Sequence, residues 1–413
     1  MPVALLRRTL EPALARAAKE RPAVLLTGPR QSGKTTLLRR MFGRTHRYVS
    51  LDDLRARALA LEDPTLFLAE HPPPVVVDEI QYAPTLLSAI KLDVDAHRGA
   101  TGRWLLTGSQ QFPLMAGVTE SLAGRIAVVQ LLPMSLGEQL RMPMAAPFAA
   151  GPARGRAAAV LDARALARRL VRGGWPELVA KPRLDADGWQ ASYLQTYLER
   201  DVRALRQVGD LHAFQTFLRA LAARNAQITN YSDIARDLGV VVNTVRAWIA
   251  VLEASQQIFV LRPWFRNLGR RLVKSPKIYF LETGLLCHLL GLLDARTALA
   301  GPAAGALFET FVLGEIVRAF TNVAAVPRVS FYRTAAGEEV DFVVEHGGRL
   351  HPIEVKLTAT PTPRHASAVD AFAAAVGSEA APGRVVCLVP SSVALTRTCR
   401  AIPAGAFALG RST

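Results

Sequence analysis

The feature that most constrains this chain is a glycine-bearing loop of the pattern G-x-x-x-x-G-K-T at residues 28–35. It follows an apolar stretch at residues 23–26, which is typical of a buried strand, and it precedes a helical pattern beginning at Thr36. A strand, a tight loop and a helix in this order predict a phosphate-binding loop. The residues expected to hold the phosphates are Gly28, Pro29, Arg30, Gln31, Ser32, Gly33, Lys34, Thr35 and Thr36.

The chemistry expected of this loop is the binding of ATP together with Mg²⁺. Glycines let the backbone curl so that several N–H groups point inward, and the following helix adds the positive end of its dipole. Lys34 is predicted to reach the terminal phosphates, and the Thr35 hydroxyl is predicted to ligate the magnesium ion.

A second acidic motif, Asp78 and Glu79, ends a run of β-branched residues at positions 75–77. In a parallel sheet the carboxyl ends of strands lie at one edge, so these carboxylates are expected beside the phosphate loop. Asp78 is predicted to support the magnesium ion. Glu79 is predicted to polarise the attacking water as a general base.

Two further positions are candidates for the catalytic machinery. The apolar strand pattern at residues 103–109 ends in hydroxyl groups, so Ser109 or Thr107 is predicted to contact the γ-phosphate or the lytic water. Arg125 follows a glycine before the next strand pattern. It is predicted either to reach a neighbouring subunit's γ-phosphate and neutralise transition-state charge, or to form an ordinary surface ion pair.

The last third of the chain carries a second group of carboxylates. A helical pattern at residues 307–320 presents Glu309, and strand patterns present Asp341, Glu354 and, on the same face as Glu354, Lys356. This order of helix and strands resembles the core of the PD-(D/E)XK nuclease superfamily, in which carboxylates and a lysine hold Mg²⁺ and polarise water. Val340, rather than proline, precedes Asp341. An active nuclease site and a silent, buried ion-pair relic are both consistent with the pattern.

A helix-turn-helix with a wing strand is predicted at residues 228–264. Ser232 is the expected cap of its first helix and Gly239 its turn. In a DNA reader the second helix would present Asn243, Thr244 and Arg246 to base edges. The same module also serves as a protein-contact element.

Composition adds limits on class and partners. The 413 residues carry 50 Lys and Arg against 34 Asp and Glu, a net charge of +16 that favours a polyanion such as DNA, although a coding bias toward arginine would give the same excess. The 3 cysteines show no C-x-x-C spacing for a zinc site. We find no membrane-span pattern and no secretory signal, and we therefore expect a cytoplasmic protein without a membrane partner.

The motifs at residues 28–35, 75–79, 106–109 and 121–125 together resemble AAA-type ATP-binding proteins of bacteria and archaea that carry a C-terminal domain of unknown function, DUF4143. Segments 173–177 (GGWPE) and 197–202 (YLERDV) are similar to that domain's hallmarks, so the resemblance covers nearly the whole chain. It implies a P-loop ATPase that forms a homo-oligomer, such as a hexameric ring.

The expected fold class is α/β, with a P-loop parallel-sheet ATPase domain at residues 1–138. A flexible linker and helical region (139–208), a winged helix-turn-helix (209–268) and a small nuclease-like α/β domain (269–413) are expected to follow. The leading functional hypothesis is an ATPase that couples nucleotide state to a DNA-interacting C-terminal region. A nucleotide-gated protein-interaction or signalling ATPase, and a DNA remodeller that does not cleave, are the alternatives.

Overall fold

The computed structural model describes residues 6–108, 122–142, 162–202, 208, 210–265, 275–334 and 336–410. Ser109 and positions 143–159 of the expected linker lie outside these residues. The described strands form a parallel sheet and a mixed sheet, with a helical region between them, so the chain is α/β overall. Among the described helices, none is long and apolar enough to cross a membrane.

The first sheet has five parallel strands in the order β2-β3-β4-β1-β5. Its strands are β1 (Ala23–Thr27), β2 (Arg47–Ser50), β3 (Val75–Asp78), β4 (Trp104–Gly108) and β5 (Ile126–Gln130). The accompanying helices are α1 (Glu11–Glu20), α2 (Lys34–Phe42), α3 (Leu54–Glu62), α4 (Pro64–Glu70), α5 (Leu86–Ala96) and α6 (Leu136–Gln139). The loop after β1 and the end of β3 therefore lie at the same, carboxyl-terminal edge of the sheet.

Both faces of the three inner strands, β1, β3 and β4, are buried, which explains why these strands are apolar without alternation. Successive side chains on a strand point to opposite faces. Val24 and Leu26 accordingly join a core with Leu37 of α2, whereas Leu25 joins Ile90 of α5 on the other face.

The helical region packs around aromatic side chains. Its core contains the buried rings of Trp175, Phe214, Phe217 and Trp248. The helices are α7 (Ala163–Arg172), α8 (Pro176–Ala180), α9 (Ala186–Tyr197), α10 (Leu211–Ala223), α11 (Tyr231–Leu238), α12 (Val242–Ala254), α13 (Thr283–Leu290) and α14 (Ala295–Ala300). A π-helical turn, Leu198–Val202, extends α9.

Helices α11 and α12 are joined by a tight turn at Gly239, whose φ of 66° is left-handed. The cap of α11 is not Ser232 as expected. The Asn230 side chain accepts a hydrogen bond from the Ser232 main-chain N–H, so the helix starts two residues earlier than the serine would require. Asn243 and Arg246 are exposed on α12, whereas Thr244, the third residue predicted to face DNA, is half-buried.

The mixed sheet has eight strands in the order β12-β13-β11-β10-β9-β8-β6-β7. Its strands are β6 (Ile258–Pro263), β7 (Lys277–Phe280), β8 (Val329–Arg333), β9 (Glu339–His346), β10 (Arg349–Val355), β11 (Gly383–Cys387), β12 (Val393–Ala394) and β13 (Cys399–Pro403). Helices α15 (Ala304–Thr321), α16 (Ser367–Val376) and α17 (Ala404–Ala408) complete this region. Most of α15 is buried, and it contacts both the mixed sheet and residues next to the first sheet.

Candidate functional site

The loop between β1 and α2 has the backbone geometry that a phosphate-binding loop needs. Gly33, the residue before α2, has a φ of 94°, which favours glycine because other residues are strained there. A Cβ atom at Gly28 would lie 2.2 Å from the Leu131 carbonyl oxygen. Both glycines of the motif are thus required by the fold itself.

Lys34 lies under this loop and is only 6% exposed. Its Nζ donates hydrogen bonds to the carbonyl oxygens of Gly28 at 2.9 Å and Pro29 at 3.0 Å, which hold the ammonium group inside the loop. The neighbouring Ser32 hydroxyl is fully buried and has no hydrogen-bond partner among the described residues. A buried polar group is normally paired, so this hydroxyl is available to a ligand.

The carboxylate of Asp78 accepts hydrogen bonds from hydroxyl groups on three different elements. Thr35 Oγ1 donates to it at 2.9–3.0 Å, the Tyr48 hydroxyl donates to Oδ2 at 2.7 Å, and Thr107 Oγ1 donates to Oδ1. Burial and the Asp78 carboxylate raise the pKa of Tyr48 to about 12, so Tyr48 stays protonated and donates. The carboxylate and the Thr35 hydroxyl are hard oxygen ligands, which fit Mg²⁺.

Glu79 follows Asp78 in a left-handed conformation with a φ of 59°. Its N–H donates to Thr107 Oγ1 at 3.0 Å, and its carboxylate accepts a hydrogen bond from the Gln81 amide. A left-handed non-glycine residue is uncommon and marks a position that the surroundings hold in place. Thr107, one of the two predicted hydroxyl residues, is thus in contact with both acidic residues.

Arg125 lies at the opposite edge of the sheet from the phosphate loop. It precedes β5, whose first residue pairs with Ala23 at the start of β1, whereas the loop follows the end of β1. Its guanidinium donates to both carboxylate oxygens of Asp95, at 2.7 and 3.2 Å. The other candidate in this part of the chain, Ser109, is outside the described residues.

A cavity of about 640 Å³ lies between the phosphate loop and helices α8 and α9. One wall is formed by Arg30, Gln31, Ser32, Gly33, Lys34, Thr35 and Thr36, together with Glu79. The opposite wall is formed by Pro176, Glu177, Ala180, Lys181, Trp189, Ser192, Tyr193 and Thr196. Residues on two separate parts of the chain therefore face the same space.

The glycine pair of the GGWPE segment determines how α8 meets the loop. A Cβ at Gly173 would lie 2.0 Å from a Glu282 carboxylate oxygen, and a Cβ at Gly174 would lie 2.4 Å from the Met134 carbonyl oxygen. Two hydrogen bonds of the Gly174 main chain fix the same segment. The Met134 N–H donates to the Gly174 carbonyl oxygen at 2.7 Å, and the Gly174 N–H donates to the Glu282 carboxylate at 2.8 Å. Only glycine fits here.

Arg8 is a supporting residue that the sequence did not indicate. It is buried at 7% exposure, and its guanidinium donates to the Ser32 carbonyl at 2.8 Å, the Leu132 carbonyl at 2.5 Å and the Glu138 carboxylate at 3.1 Å. Arg8 thereby ties the phosphate loop to the segment that follows β5. Nothing in its local sequence distinguishes it from the neighbouring, exposed Arg7.

The carboxylates of the mixed sheet form a second cluster of charged groups. Lys356 Nζ lies 2.6 Å from Glu354 Oε1, the Val355 N–H donates to Asp341 at 2.8 Å, and the Tyr279 hydroxyl donates to Glu309. Lys277, which no sequence pattern indicated, has its Nζ 3.4 Å from a Glu309 carboxylate oxygen and 2.5 Å from one of Glu339.

Burial dominates the electrostatics of this cluster. Burial and then the Asp341 charge raise the pKa of Glu354 to about 8 and that of Glu309 to about 7. Glu354 Oε2 is buried without a hydrogen-bond partner among the described residues. In the same part of the chain, however, no three His, Cys, Asp or Glu side chains converge closely enough to hold one metal ion.

Comparison with known protein families divides the chain into three matched regions. An AAA domain matches residues 20–140, a domain of unknown function (DUF8612) matches residues 163–296, and a domain of unknown function (DUF4143) matches residues 304–407. The segments 173–177 and 197–202, which the sequence resemblance attributes to DUF4143, therefore lie in the DUF8612 region instead.

Two individual proteins and one solved structure are also similar to this chain. The uncharacterized proteins Rv2008c of Mycobacterium tuberculosis and Mb2031c of Mycobacterium bovis are each 33% identical over 361 residues, 86% of this chain and 75% of theirs. A solved structure, the Walker-type ATPase PABY2304 of Pyrococcus abyssi, has a TM-score of 0.42 at 16% identity and covers 68% of this chain and 94% of its own. The chain therefore belongs to the family of AAA-type P-loop ATP-binding proteins that carry the C-terminal domain DUF4143.

Proposed function

We propose that this protein binds ATP with Mg²⁺ at the phosphate loop and hydrolyses it. The observation that carries the proposal is the hydrogen bond of 2.9–3.0 Å between Thr35 and Asp78, beside the buried ammonium group of Lys34. It brings together, from the start of α2 and the end of β3, a hard-oxygen pair for the cation and a positive charge for the phosphates.

Each residue has a separate role in this proposal. Lys34 and the loop N–H groups bind the β- and γ-phosphates, and Thr35 and Asp78 hold Mg²⁺. Held there, Mg²⁺ would supply positive charge to offset the charge that develops on the phosphate oxygens. Glu79 orients the attacking water and accepts its proton, a role that requires a carboxylate near the γ-phosphate.

The test is phosphate release measured beside ATP binding. Glu79→Gln is expected to keep binding and to slow hydrolysis by about a hundredfold or more, as expected for loss of a general base. Glu70→Gln, which changes an exposed carboxylate on α4, is the matched control. Unchanged hydrolysis in Glu79→Gln would remove Glu79 from the mechanism.

Arg125 is proposed to complete the site of a neighbouring subunit in a homo-oligomer. Its distance from its own phosphate loop supports this role, because within one chain it cannot reach the γ-phosphate. Release of its ion pair with Asp95 would be required. Turnover per chain is expected to rise with protein concentration and to fall in Arg125→Ala but not in the control Arg55→Ala. Turnover per chain that is independent of protein concentration and unchanged in Arg125→Ala would contradict this role.

A second candidate activity is magnesium-dependent phosphodiester cleavage at Asp341, Glu354 and Lys356. The buried, unpaired Oε2 of Glu354 favours it, because an added cation would satisfy this oxygen and neutralise the clustered charge. Cleavage of DNA that needs Mg²⁺ and disappears in Asp341→Asn would support a nuclease. Absence of cleavage would favour the silent, protein-interacting alternative.

DNA is the proposed polyanionic partner of the C-terminal region. The net charge of +16 and the exposed Asn243 and Arg246 on α12 support contact with phosphates and base edges. DNA affinity is expected to fall steeply with salt and to weaken in Arg246→Ala. Steep salt dependence without cleavage would identify a remodeller, and salt-insensitive binding of a protein would identify a scaffold.

A further inference from the structure

The cavity beside the phosphate loop is larger and chemically more varied than phosphate binding requires. Its volume of about 640 Å³ is in the range of sites for whole small molecules, roughly 300–1,000 Å³. The half formed by the loop is polar, whereas the half formed by α8 and α9 carries an indole ring and an acidic side chain. The second half therefore has room and groups for the part of a nucleotide beyond its phosphates.

We propose that α8 and α9 form a nucleoside subsite, in which Trp189 provides the wall for an adenine-type base and the Glu177 carboxylate accepts a hydrogen bond from the base amino group. This inference rests on the proposed function, since it places the nucleoside of the same ATP molecule. Residues of the DUF8612 region, rather than of the AAA domain, thereby select the base.

Helix α8 is held at a fixed position relative to the phosphate loop. Pro176 Cγ lies 3.8 Å from the place where a Gly33 Cβ would be, so α8 begins in contact with the loop itself. The packing and hydrogen bonds of Gly173 and Gly174 against Glu282 and Met134 fix the position of the segment that leads into α8. Glu177, the next residue, therefore faces the cavity beside the phosphate loop.

The Glu177 side chain is a charged hydrogen-bond acceptor. Lys181 Nζ donates to Oε1 at 2.6 Å and Trp189 Nε1 donates to Oε2 at 3.0 Å. These two hydrogen bonds, that of Lys181 foremost, lower the pKa of Glu177 and keep it ionised. Its side chain remains 39% exposed, and a carboxylate can accept about four hydrogen bonds, so acceptor capacity is left for a ligand amino group.

The ring of Trp189 is held rigidly by other aromatic rings. It stacks on Tyr193 with centroids 5.5 Å apart and planes inclined by 7°, and it lies 5.4 Å from Trp175. The bond from its indole N–H to Glu177 fixes its orientation as well. A preorganised ring loses little conformational freedom when a flat base packs against it.

The test compares binding of MgATP, MgGTP and inorganic tripolyphosphate to the full chain by calorimetry. Glu177→Gln and Trp189→Ala are expected to weaken MgATP about tenfold or more while leaving tripolyphosphate unchanged. The wild type is expected to prefer ATP to GTP, and Glu177→Gln is expected to reduce this preference. Glu253→Gln, which changes a carboxylate on α12, is the matched control.

Two results would overturn the inference and are distinguishable from each other. Equal losses for MgATP and tripolyphosphate, or no loss for either, would show that α8 and α9 do not contact the nucleoside, while the phosphate site would stand. A wild-type protein that binds neither compound would overturn the phosphate site and the inference together. Because Glu177 is partly exposed, unaltered thermal unfolding of Glu177→Gln is expected and confirms that the variant is folded.

Discussion

The hydroxyl of Tyr48 donates a 2.7 Å hydrogen bond to Oδ2 of Asp78, the carboxylate that faces the phosphate loop through Thr35. Tyr48 comes from β2, an edge strand that pairs with β3 in register, with Ser50 beside Asp78. The Arg39 guanidinium lies 4.7 Å from the centre of the Tyr48 ring and covers it. Tyr48 thus orients the carboxylate of Asp78, a residue distant from it in sequence.

Tyr48→Phe is expected to weaken Mg²⁺ binding without removing it. The variant loses one hydrogen bond to a carboxylate at a partly exposed position, an effect of about two- to tenfold in affinity. Titration with Mn²⁺ followed by paramagnetic resonance would measure it, with Tyr332→Phe in the mixed sheet as control. Unchanged affinity would show that Thr35 and Thr107 alone orient Asp78.

Gly173→Ala is expected to destabilise the protein far more than Gly99→Ala. Both glycines have a positive φ, 80° and 93°, so both substitutions strain the backbone, by about 1–3 kcal/mol. Only at Gly173 would the added Cβ also meet another atom, a Glu282 oxygen at 2.0 Å; at Gly99 no described atom lies within 4 Å. Urea unfolding of both variants measures the difference, and equal losses would contradict the packing argument.

Arg8→Ala is expected to lower the free energy of unfolding by about 3–5 kcal/mol, because it leaves the buried Glu138 carboxylate without its charge partner. The Ser32 and Leu132 carbonyl groups lose donors in the same change. Arg7→Ala alters an adjacent, exposed arginine and should change stability little. Denaturant unfolding of the pair is decisive, and similar values for both would exclude a structural role for Arg8.

Glu315 predicts a pH dependence of stability. Burial raises its pKa to about 7, although Arg318 and the Leu136 N–H oppose the shift, and Glu138 and Glu282 add to it. Between the ordinary glutamate value near 4.5 and about 7, the folded state binds more protons than the unfolded state, so stability decreases as pH rises through this window.

Glu315→Gln removes this titration while keeping an acceptor for the Leu136 N–H. The stability of the wild type relative to Glu315→Gln is therefore expected to fall by about 1–3 kcal/mol between pH 5 and pH 8. Urea unfolding at several pH values provides the comparison. A difference that is independent of pH would show that Glu315 stays in one protonation state.

The parts of the fold and site that the sequence predicted are those encoded by local patterns. Lys34 and Thr35 come directly after the loop that follows β1, and Asp78 ends a β-branched strand, so periodicity and spacing were sufficient to predict where these residues lie in the fold. Their roles stay predictions. Thr107 was predicted only as one of two alternatives, Ser109 being the other. The start of α11 was missed by two residues because Asn and Ser are both good caps and only the backbone decides between them.

The remaining contacts join residues that are distant in sequence and have no local signature. Arg8 reaches Glu138 across 130 positions, and Leu136 reaches Glu315 across 179. Such pairs are set by how the sheets and helices pack, which a single sequence does not reveal. The GGWPE segment was noticeable in the sequence, but its role became visible only when Gly173 and Gly174 were seen between Glu282 and Met134.

The central claim is that the loop around Lys34 binds a nucleotide triphosphate with its magnesium ion. Calorimetric titration of MgATP into the wild type, Lys34→Ala and the exposed-site control Lys19→Ala tests it most directly. We predict saturable binding to the wild type and to Lys19→Ala, and no detectable binding to a folded Lys34→Ala. Equal affinity of all three proteins for MgATP would contradict the claim.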